Sequence, residues 1–213
     1  MTLADSVGLS DAHERLAVRL LQLGLAGLAV YGLVTHQFGM AANGLFSLAV
    51  TLVPALLRRE YGYTMDVGLV LWIAVAIVLH VVGSIGLYQQ FSWYDEITHT
   101  VSATVVAGAG YAGFRAFEMH DSELDVPSTF RSVFIVVFVL AFGVAWEVFE
   151  FGAVEIARAM GFDSPVTVYG IDDIVTDFVF NAVGAVLVAL WGTEYTSGVI
   201  GFLRGRLAAH GDE

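Results

Sequence analysis

Acidic residues occur at helical spacing, with a histidine or with each other, in three stretches of a strongly apolar sequence. The three pairs are Asp95 with His99, Glu147 with Glu150, and Asp173 with Asp177. Residues three or four positions apart share one face of a helix, so each pair can direct two ligands towards one volume. Charged side chains inside a membrane are costly, and they therefore mark candidate functional sites. The three pairs predict a cation-binding site.

The predicted site offers oxygen and imidazole ligands. Hard oxygen donors with one or two imidazoles suit magnesium, manganese, iron or zinc, and they suit calcium less well. The chain has no cysteine, so thiolate ligands and disulfides are excluded. The candidate metal ligands are Asp95, His99, Glu147, Glu150, Asp173 and Asp177. Glu150 and Asp177 are also the candidates for a catalytic residue.

Four further polar residues are expected to support these ligands. They are His80, Glu96, Asp172 and Asn181. Glu96 precedes His99 by three residues and therefore lies on the same helix face. Asn181 follows Asp177 by four residues and shares a face with it in the same way. Their expected role is to orient the ligands through hydrogen bonds.

Charge repulsion limits how the carboxylates can coexist. Two ionised carboxylates about 5 Å apart repel by about 3 kcal/mol at an effective dielectric constant near 20. The acids must therefore take up protons, bind a cation, or face water. Other interpretations stay open for single residues. An acid at a helix start, such as Asp95 or Asp172, can cap free backbone amides, and His80 can be a hydrogen-bonded core histidine.

The composition is that of a polytopic membrane protein. Hydrophobic residues make up 57% of the chain and charged residues only 14%, against about 25% charged residues in an ordinary soluble domain. All nine basic residues are arginine, and the formal net charge is −12. An acidic, lysine-free composition of this kind is expected of a salt-loving organism. It also argues against nucleic acid as a partner.

Six apolar segments are long enough to cross a bilayer as helices. They cover residues 17–35, 40–57, 65–88, 97–117, 132–154 and 173–192. The sequence therefore predicts an all-α fold, a six-transmembrane-helix bundle that forms one domain over residues 1–213. Residues 1–16 are expected to be a cytoplasmic N-terminal segment. Residues 196–213 are expected to form a short interfacial or cytoplasmic tail.

The placement of arginine predicts the orientation of the chain, because cytoplasmic loops are enriched in positive charge. With six crossings, eight of the nine arginines fall on one side: Arg15, Arg19, Arg58, Arg59, Arg115, Arg131, Arg204 and Arg206. Only Arg158 falls on the other side. Both termini are therefore predicted to be cytoplasmic in a multi-pass protein of the cell membrane. The acidic pairs then lie in the outer leaflet.

Four motifs resemble those of a known family. They are His80-x-x-Gly83, Tyr94-Asp95-x-x-x-His99, Trp146-Glu147-Val148-Phe149-Glu150, and Asp173-x-x-x-Asp177 followed by Gly184-Ala185. In this order they resemble the YjdF-like family of uncharacterised membrane proteins, over residues 79–190. The stretch Asp177-x-x-x-Asn181-x-x-Gly184 is also similar to the ending of VanZ-like proteins. The resemblance implies that the polar residues form one site, and it implies no particular reaction.

Three classes of function fit these observations. The first is a metal-dependent enzyme that acts on a lipid or polyprenyl head group at the outer leaflet, where a bound cation activates water or polarises an oxygen. The second is a noncatalytic scaffold or partner-binding protein in which the buried polar residues fasten helices together. The third is a cation or proton transporter. The inner halves of the helices, residues 67–79, 133–145 and 182–190, hold almost no polar side chains, which favours a closed cup over a conduit.

Overall fold

Helices account for the regular structure of the chain in the computed structural model, which describes residues 11–121, 124, 126–166, 170–191 and 196–211. The helices in chain order are α1 (Asp11–Val34), α2 (Phe38–Tyr61), α3 (Val67–Val82), α4 (Ser92–His120), α5 (Ser128–Met160), α6 (Ile171–Trp191) and α7 (Ser197–Gly211). No strand occurs among these described residues. The predicted all-α class is confirmed. Residues 1–10 of the expected cytoplasmic segment, and residues 212–213 of the expected tail, lie outside the described part.

Five helices of the described chain are long and apolar enough to cross a membrane. They are Leu16–Val34, Phe38–Tyr61, Val67–Gln90, Ser128–Met160 and Ile171–Leu190. These five correspond to five of the six predicted segments. The third of them is α3 extended through a π-helical turn, Gly83–Leu87, and one further short helical turn, Tyr88–Gln90. The chain therefore has the multi-pass character that its composition indicates.

Helix α4 is the exception among the predicted crossings. It has 29 residues, which is about 44 Å at 1.5 Å per residue and long enough to span a bilayer. Its sequence, however, places hydroxyl and imidazole side chains such as Thr98, His99 and Thr104 among alanines and glycines. Its hydropathy is accordingly lower than that of the five apolar helices. A sixth crossing therefore stays a prediction.

Contacts between residues divide the chain into two compact units. The first unit comprises the residues up to Asp95 and Ala145–Ile174, and the second comprises Glu96–Val144 and the residues from Val175 onwards. The boundary passes through α4, α5 and α6, each of which continues as a helix from one unit into the other.

Small residues allow α1 and α2 to approach closely in the first unit. A Cβ atom on Gly44 would lie 2.9 Å from the backbone nitrogen of Ala29, and one on Gly32 would lie 2.5 Å from that of Ala41. Leu25, with Ile77 of α3, belongs to the apolar core beside this contact. Close backbone approach at small residues is the usual way in which membrane helices associate.

The end of α3 is shaped by the π-helical turn. Gly83 lies directly beneath the ring of Tyr88, and any side chain at position 83 would overlap that ring. Tyr94, which is 9% exposed, donates a hydrogen bond from its hydroxyl to the carbonyl oxygen of Leu79 at 3.2 Å. The turn is therefore fixed by contacts on both sides. Single π turns inside α-helices are frequent at functional sites.

Helices α4 and α6 pack tightly in the second unit. A Cβ atom on Gly184 would lie 2.5 Å from the carbonyl oxygen of Thr100 and 2.7 Å from the Cβ atom of Ala103. The Thr100 hydroxyl donates to the carbonyl oxygen of Phe180 at 3.4 Å, across the same interface. Ala185, next to Gly184, is fully buried. The α4–α6 interface thus depends on the absence of a side chain at position 184.

We predict that Gly184→Ala destabilises the protein by about 1–3 kcal/mol, because the added methyl group meets the backbone of α4. The measurement is thermal unfolding of the purified protein in detergent, followed by circular dichroism. Gly113→Ala in α4 is the matched control, since no atom lies within 4 Å of the added methyl group there. The control is expected to be neutral or slightly stabilising. Equal melting temperatures for the two variants would contradict the proposed close approach.

Candidate metal centre

His99 and Asp177 form a buried pair within the second unit. The distance from His99 Nε2 to Asp177 Oδ1 is 3.4 Å, and the two side chains are 16% and 6% exposed. His99 precedes Thr100 on α4, and Asp177 lies about two turns before Gly184 on α6. The close α4–α6 packing therefore positions the pair. A buried carboxylate requires a proton or a positive partner, because an uncompensated charge is costly to bury.

Asp95 is related to this pair because it lies on the same helix as His99. It lies four residues before His99, in the first turn of the same helix. One ligand atom from each of Asp95, His99 and Asp177 lies within 4.8 Å of the other two. Ligands bound at about 2.0–2.2 Å to one ion lie roughly 3–4.4 Å apart. Two oxygens and one imidazole are the donor types that the sequence predicts for a divalent ion, and a bound ion stays a prediction.

A second set of carboxylates lies within the first unit. The carboxylate of Glu150 interacts electrostatically with Glu147, Asp95 and Asp173. These four residues come from the start of α4, the later part of α5 and the start of α6. Asp95 is common to this set and to the group with His99 and Asp177. All six residues that the sequence predicts as metal ligands are therefore members of one or the other group.

The acids of α5 differ in how their charge is compensated. The indole of Trp146, four residues before Glu150, is a favourable electrostatic partner for the carboxylate of Glu150. By contrast, the Oε1 atom of Glu147 is buried and has no hydrogen-bond partner among the described residues. A buried polar atom without a partner costs about 1–3 kcal/mol. The Oε1 atom of Glu147 is therefore available to a proton or a cation.

The four residues expected to support the ligands have separate surroundings. His80 lies in the first unit, and its ring contacts those of Tyr88 and Trp146 at centroid distances of 6.4 and 6.0 Å. Asn181 is buried in the second unit, where its Nδ2 atom would lie 3.0 Å from a Cβ atom on Gly143.

The other two expected supporting residues lie in the first turns of their helices. Glu96 accepts a hydrogen bond at its backbone carbonyl from the Thr100 hydroxyl at 2.9 Å. Asp172 is exposed at the start of α6. A supporting role for all four residues stays a prediction.

The structure contains an aromatic cluster beside the acids of α5 that the sequence analysis did not predict. Phe46 of α2 contacts Trp146 and Phe149 with ring centroids 6.0 and 6.1 Å apart, and Trp146 and Phe149 lie 5.5 Å apart. Trp146, which interacts with the carboxylate of Glu150, is therefore packed among aromatic rings. The spacing of Trp146 and Glu150, four residues apart, is the sequence signal for this interaction.

Comparison with known proteins identifies a family for most of the chain. The family described as "Predicted membrane protein (DUF2238)" matches residues 16–198. The chain belongs to this family. The expected membership of a family of membrane proteins is thereby confirmed, whereas the YjdF-like name and the similarity of α6 to VanZ-like proteins stay predictions. No curated protein and no solved structure matches the chain.

We predict that His99→Ala lowers the divalent-metal content of the purified protein at least about tenfold, since it removes the only imidazole of the Asp95, His99 and Asp177 group. The measurement is elemental analysis after equilibration with magnesium, manganese, iron or zinc in turn. His120→Ala, which changes an exposed histidine at the far end of the same helix, is the matched control. Unaltered metal content in His99→Ala would remove His99 from the ligand set.

Proposed function

We propose that this family member is a membrane-embedded enzyme that depends on a divalent cation and acts on a lipid or polyprenyl head group. The observation that carries the proposal is the group of Asp95, His99 and Asp177, whose ligand atoms lie within 4.8 Å of one another. The acids of the first unit add to the support, because three carboxylates within electrostatic reach of Glu150 favour a bound cation. Magnesium, manganese, iron and zinc are the candidate ions.

The chemistry of such a site is acid–base chemistry near a Lewis acid. A bound divalent cation polarises a phosphoryl or carbonyl oxygen, or lowers the pKa of a coordinated water. We assign Asp95, His99 and Asp177 to metal binding. Glu150, which interacts with the indole of Trp146, is assigned as the base that takes a proton from water or from a substrate hydroxyl. Asp177 holds the imidazole of His99 in place as well as offering a ligand atom.

The outer-leaflet location rests on a six-crossing topology with both termini in the cytoplasm. Its support is the distribution of arginine, with eight residues on one predicted side and one on the other. The length of α4, 29 residues, is sufficient for the sixth crossing. In this topology α4 and α6 begin at the outer surface and α5 ends there. The proposed substrate therefore reaches the acids from the outer leaflet of the cell membrane.

A noncatalytic role has one specific observation in its favour. The His99–Asp177 pair and the hydrogen bond from Thr100 to the carbonyl oxygen of Phe180 both link α4 to α6. Such contacts stabilise helix association in membranes by about 0.6 kcal/mol on average. A scaffold or partner-binding protein would need no more than this. It would not require Glu147 and Glu150 to lie within electrostatic reach of Asp173.

We predict that Glu150→Gln lowers the rate of lipid turnover about a hundredfold or more, because the general base is lost. The metal content is expected to be retained, because Glu150 is not one of the three assigned ligands. The measurement is mass spectrometry of a membrane-lipid extract incubated with the metal-loaded protein in detergent. Glu155→Gln changes a partly exposed acid on the same helix and is the control. If the metal-loaded and metal-free wild-type proteins leave every lipid unchanged, the noncatalytic role is favoured instead.

We also predict that α4 crosses the membrane, so that Gln90 and Asp121 lie on opposite sides. The chain has no cysteine, and single cysteines can therefore be introduced without background labelling. A membrane-impermeant maleimide is expected to label Gln90→Cys in intact cells and Asp121→Cys only after permeabilisation. Both positions are exposed, so access within the protein does not limit the reaction. Labelling of both variants in intact cells would rule out the sixth crossing.

A further inference from the structure

The chain has two asparagines, both buried, which differ in their hydrogen bonds. Asn43 of α2 and Asn181 of α6 are 7% and 8% exposed. The amide of Asn43 donates to Ser84 Oγ and to the carbonyl oxygen of Pro165, and it accepts from Ser47 Oγ. The amide of Asn181, by contrast, makes no hydrogen bond with any residue in the described part of the chain. The Asn181 amide is therefore available to a ligand.

The helices that pack around α6 in the second unit use their polar groups elsewhere. Helix α5 presents Gly143 to Asn181, and a Cβ atom at that position would lie 3.0 Å from Asn181 Nδ2. On α4, Thr100 and Thr104 lie beside Gly184 of α6. The hydroxyl groups of these two threonines donate to backbone carbonyl oxygens. The neighbouring helices thus leave the Asn181 amide unsatisfied.

Helix association alone does not account for this amide. A buried asparagine that fastens membrane helices together does so through hydrogen bonds to a neighbouring helix. Asn181 makes no such bond among the described residues, and a buried polar group without a partner is costly. Leucine, which has the same branched arrangement of side-chain heavy atoms, would fill this place without an unpaired polar group. The presence of an amide here therefore points to a ligand.

Asn181 shares a helix face with the acid of the His99–Asp177 pair. It follows Asp177 by four residues on α6, and residues at this spacing have Cβ atoms about 5–6 Å apart. Side chains of a helix tilt towards its N-terminus, which directs the Asn181 side chain towards the level of Asp177.

The same pair has the separation of two ligands that share an ion. The distance of 3.4 Å from His99 Nε2 to Asp177 Oδ1 falls within the roughly 3–4.4 Å expected for such ligands. In the H-E-x-x-H motif of metalloproteases, two ligands four residues apart on one helix bind the same ion. The spacing of Asp177 and Asn181 therefore suits two ligands of one ion.

We propose that Asn181 is a further ligand of the divalent ion, through its Oδ1 atom, and that the ion is magnesium or manganese. The proposal rests on the proposed function, because it adds a fourth ligand to the three assigned there. With Asn181, three of the four protein ligands are oxygen donors. Carboxylate and carbonyl oxygens suit magnesium and manganese, whereas zinc sites are richer in nitrogen and sulfur. Water completes the coordination of such an ion.

The test measures manganese binding to the full chain in detergent micelles, by electron paramagnetic resonance of the free ion. Wild-type protein is expected to bind manganese saturably. Asn181→Leu is expected to weaken the affinity about tenfold or more, because it removes one oxygen ligand. Asn181→Asp keeps an oxygen at this position and is expected to bind manganese at least as tightly as the wild type. Asn43→Leu changes the other buried asparagine and is expected to leave the affinity unchanged.

Thermal unfolding separates a ligand from a packing residue. Without metal, Asn181→Leu is expected to raise the melting temperature, because an apolar group replaces an unpaired buried amide. Asn43→Leu is expected to lower it, because hydrogen bonds are lost. Added manganese is expected to stabilise the wild type more than Asn181→Leu, since the variant binds the ion less tightly.

The outcomes distinguish this inference from the proposed function. If the wild-type protein binds neither manganese nor magnesium, the proposed function and this inference fail together. If the wild type binds manganese and Asn181→Leu binds it equally well, only this inference fails. It also fails if metal-free Asn181→Leu melts below the wild type or does not fold, because Asn181 would then be a structural residue.

Discussion

The cost of placing a carboxylate in apolar surroundings is the constraint on which this structure depends. Asp177 is 4% exposed, and the imidazole of His99 lies 3.4 Å from its carboxylate oxygen. Burial of an uncompensated charge costs several kcal/mol, so α4 and α6 must be held at a separation that keeps the imidazole in reach. Gly184 allows that separation, because its missing side chain admits the backbone of Thr100. The close packing at Gly184 and the pairing of His99 with Asp177 thus depend on the same separation of α4 and α6.

The acids of this protein differ in the groups that surround them. The imidazole of His99 lies beside Asp177, and the indole of Trp146 interacts favourably with the carboxylate of Glu150. Glu147 has a buried oxygen with no partner among the described residues. The unpartnered oxygen requires a proton or an ion, because a buried polar atom without a partner costs about 1–3 kcal/mol. A bound proton meets this requirement within the chain, whereas a bound cation would meet it for several of the acids together.

Local spacing predicted the parts of the site that lie on one helix, and it could not predict the parts that join helices. The i,i+4 relation of Asp95 and His99 follows from the helix period alone. The pairing of His99 with Asp177 joins α4 to α6 and required the fold. The six apolar segments were found by hydropathy, and five of them are apolar helices of sufficient length. Helix α4 is not among these five because hydroxyl side chains such as that of Thr100 lower its mean hydropathy. The Thr100 hydroxyl nevertheless bonds to backbone carbonyl oxygens of the protein.

A cavity of about 200 Å³ in the first unit, lined by residues that include Asn43, Ser84 and Pro165, lay beyond sequence patterns for a different reason. Asn43 bonds to residues 41 and 122 positions away, Ser84 and Pro165, and no helix or strand period relates them. Its wall exists because an αL glycine ends α5 and turns the chain back onto α2. The charge of the wall was nevertheless present in the composition. With a net charge of −12 and no lysine, the chain has many acceptor side chains and few cationic ones from which to build such a wall.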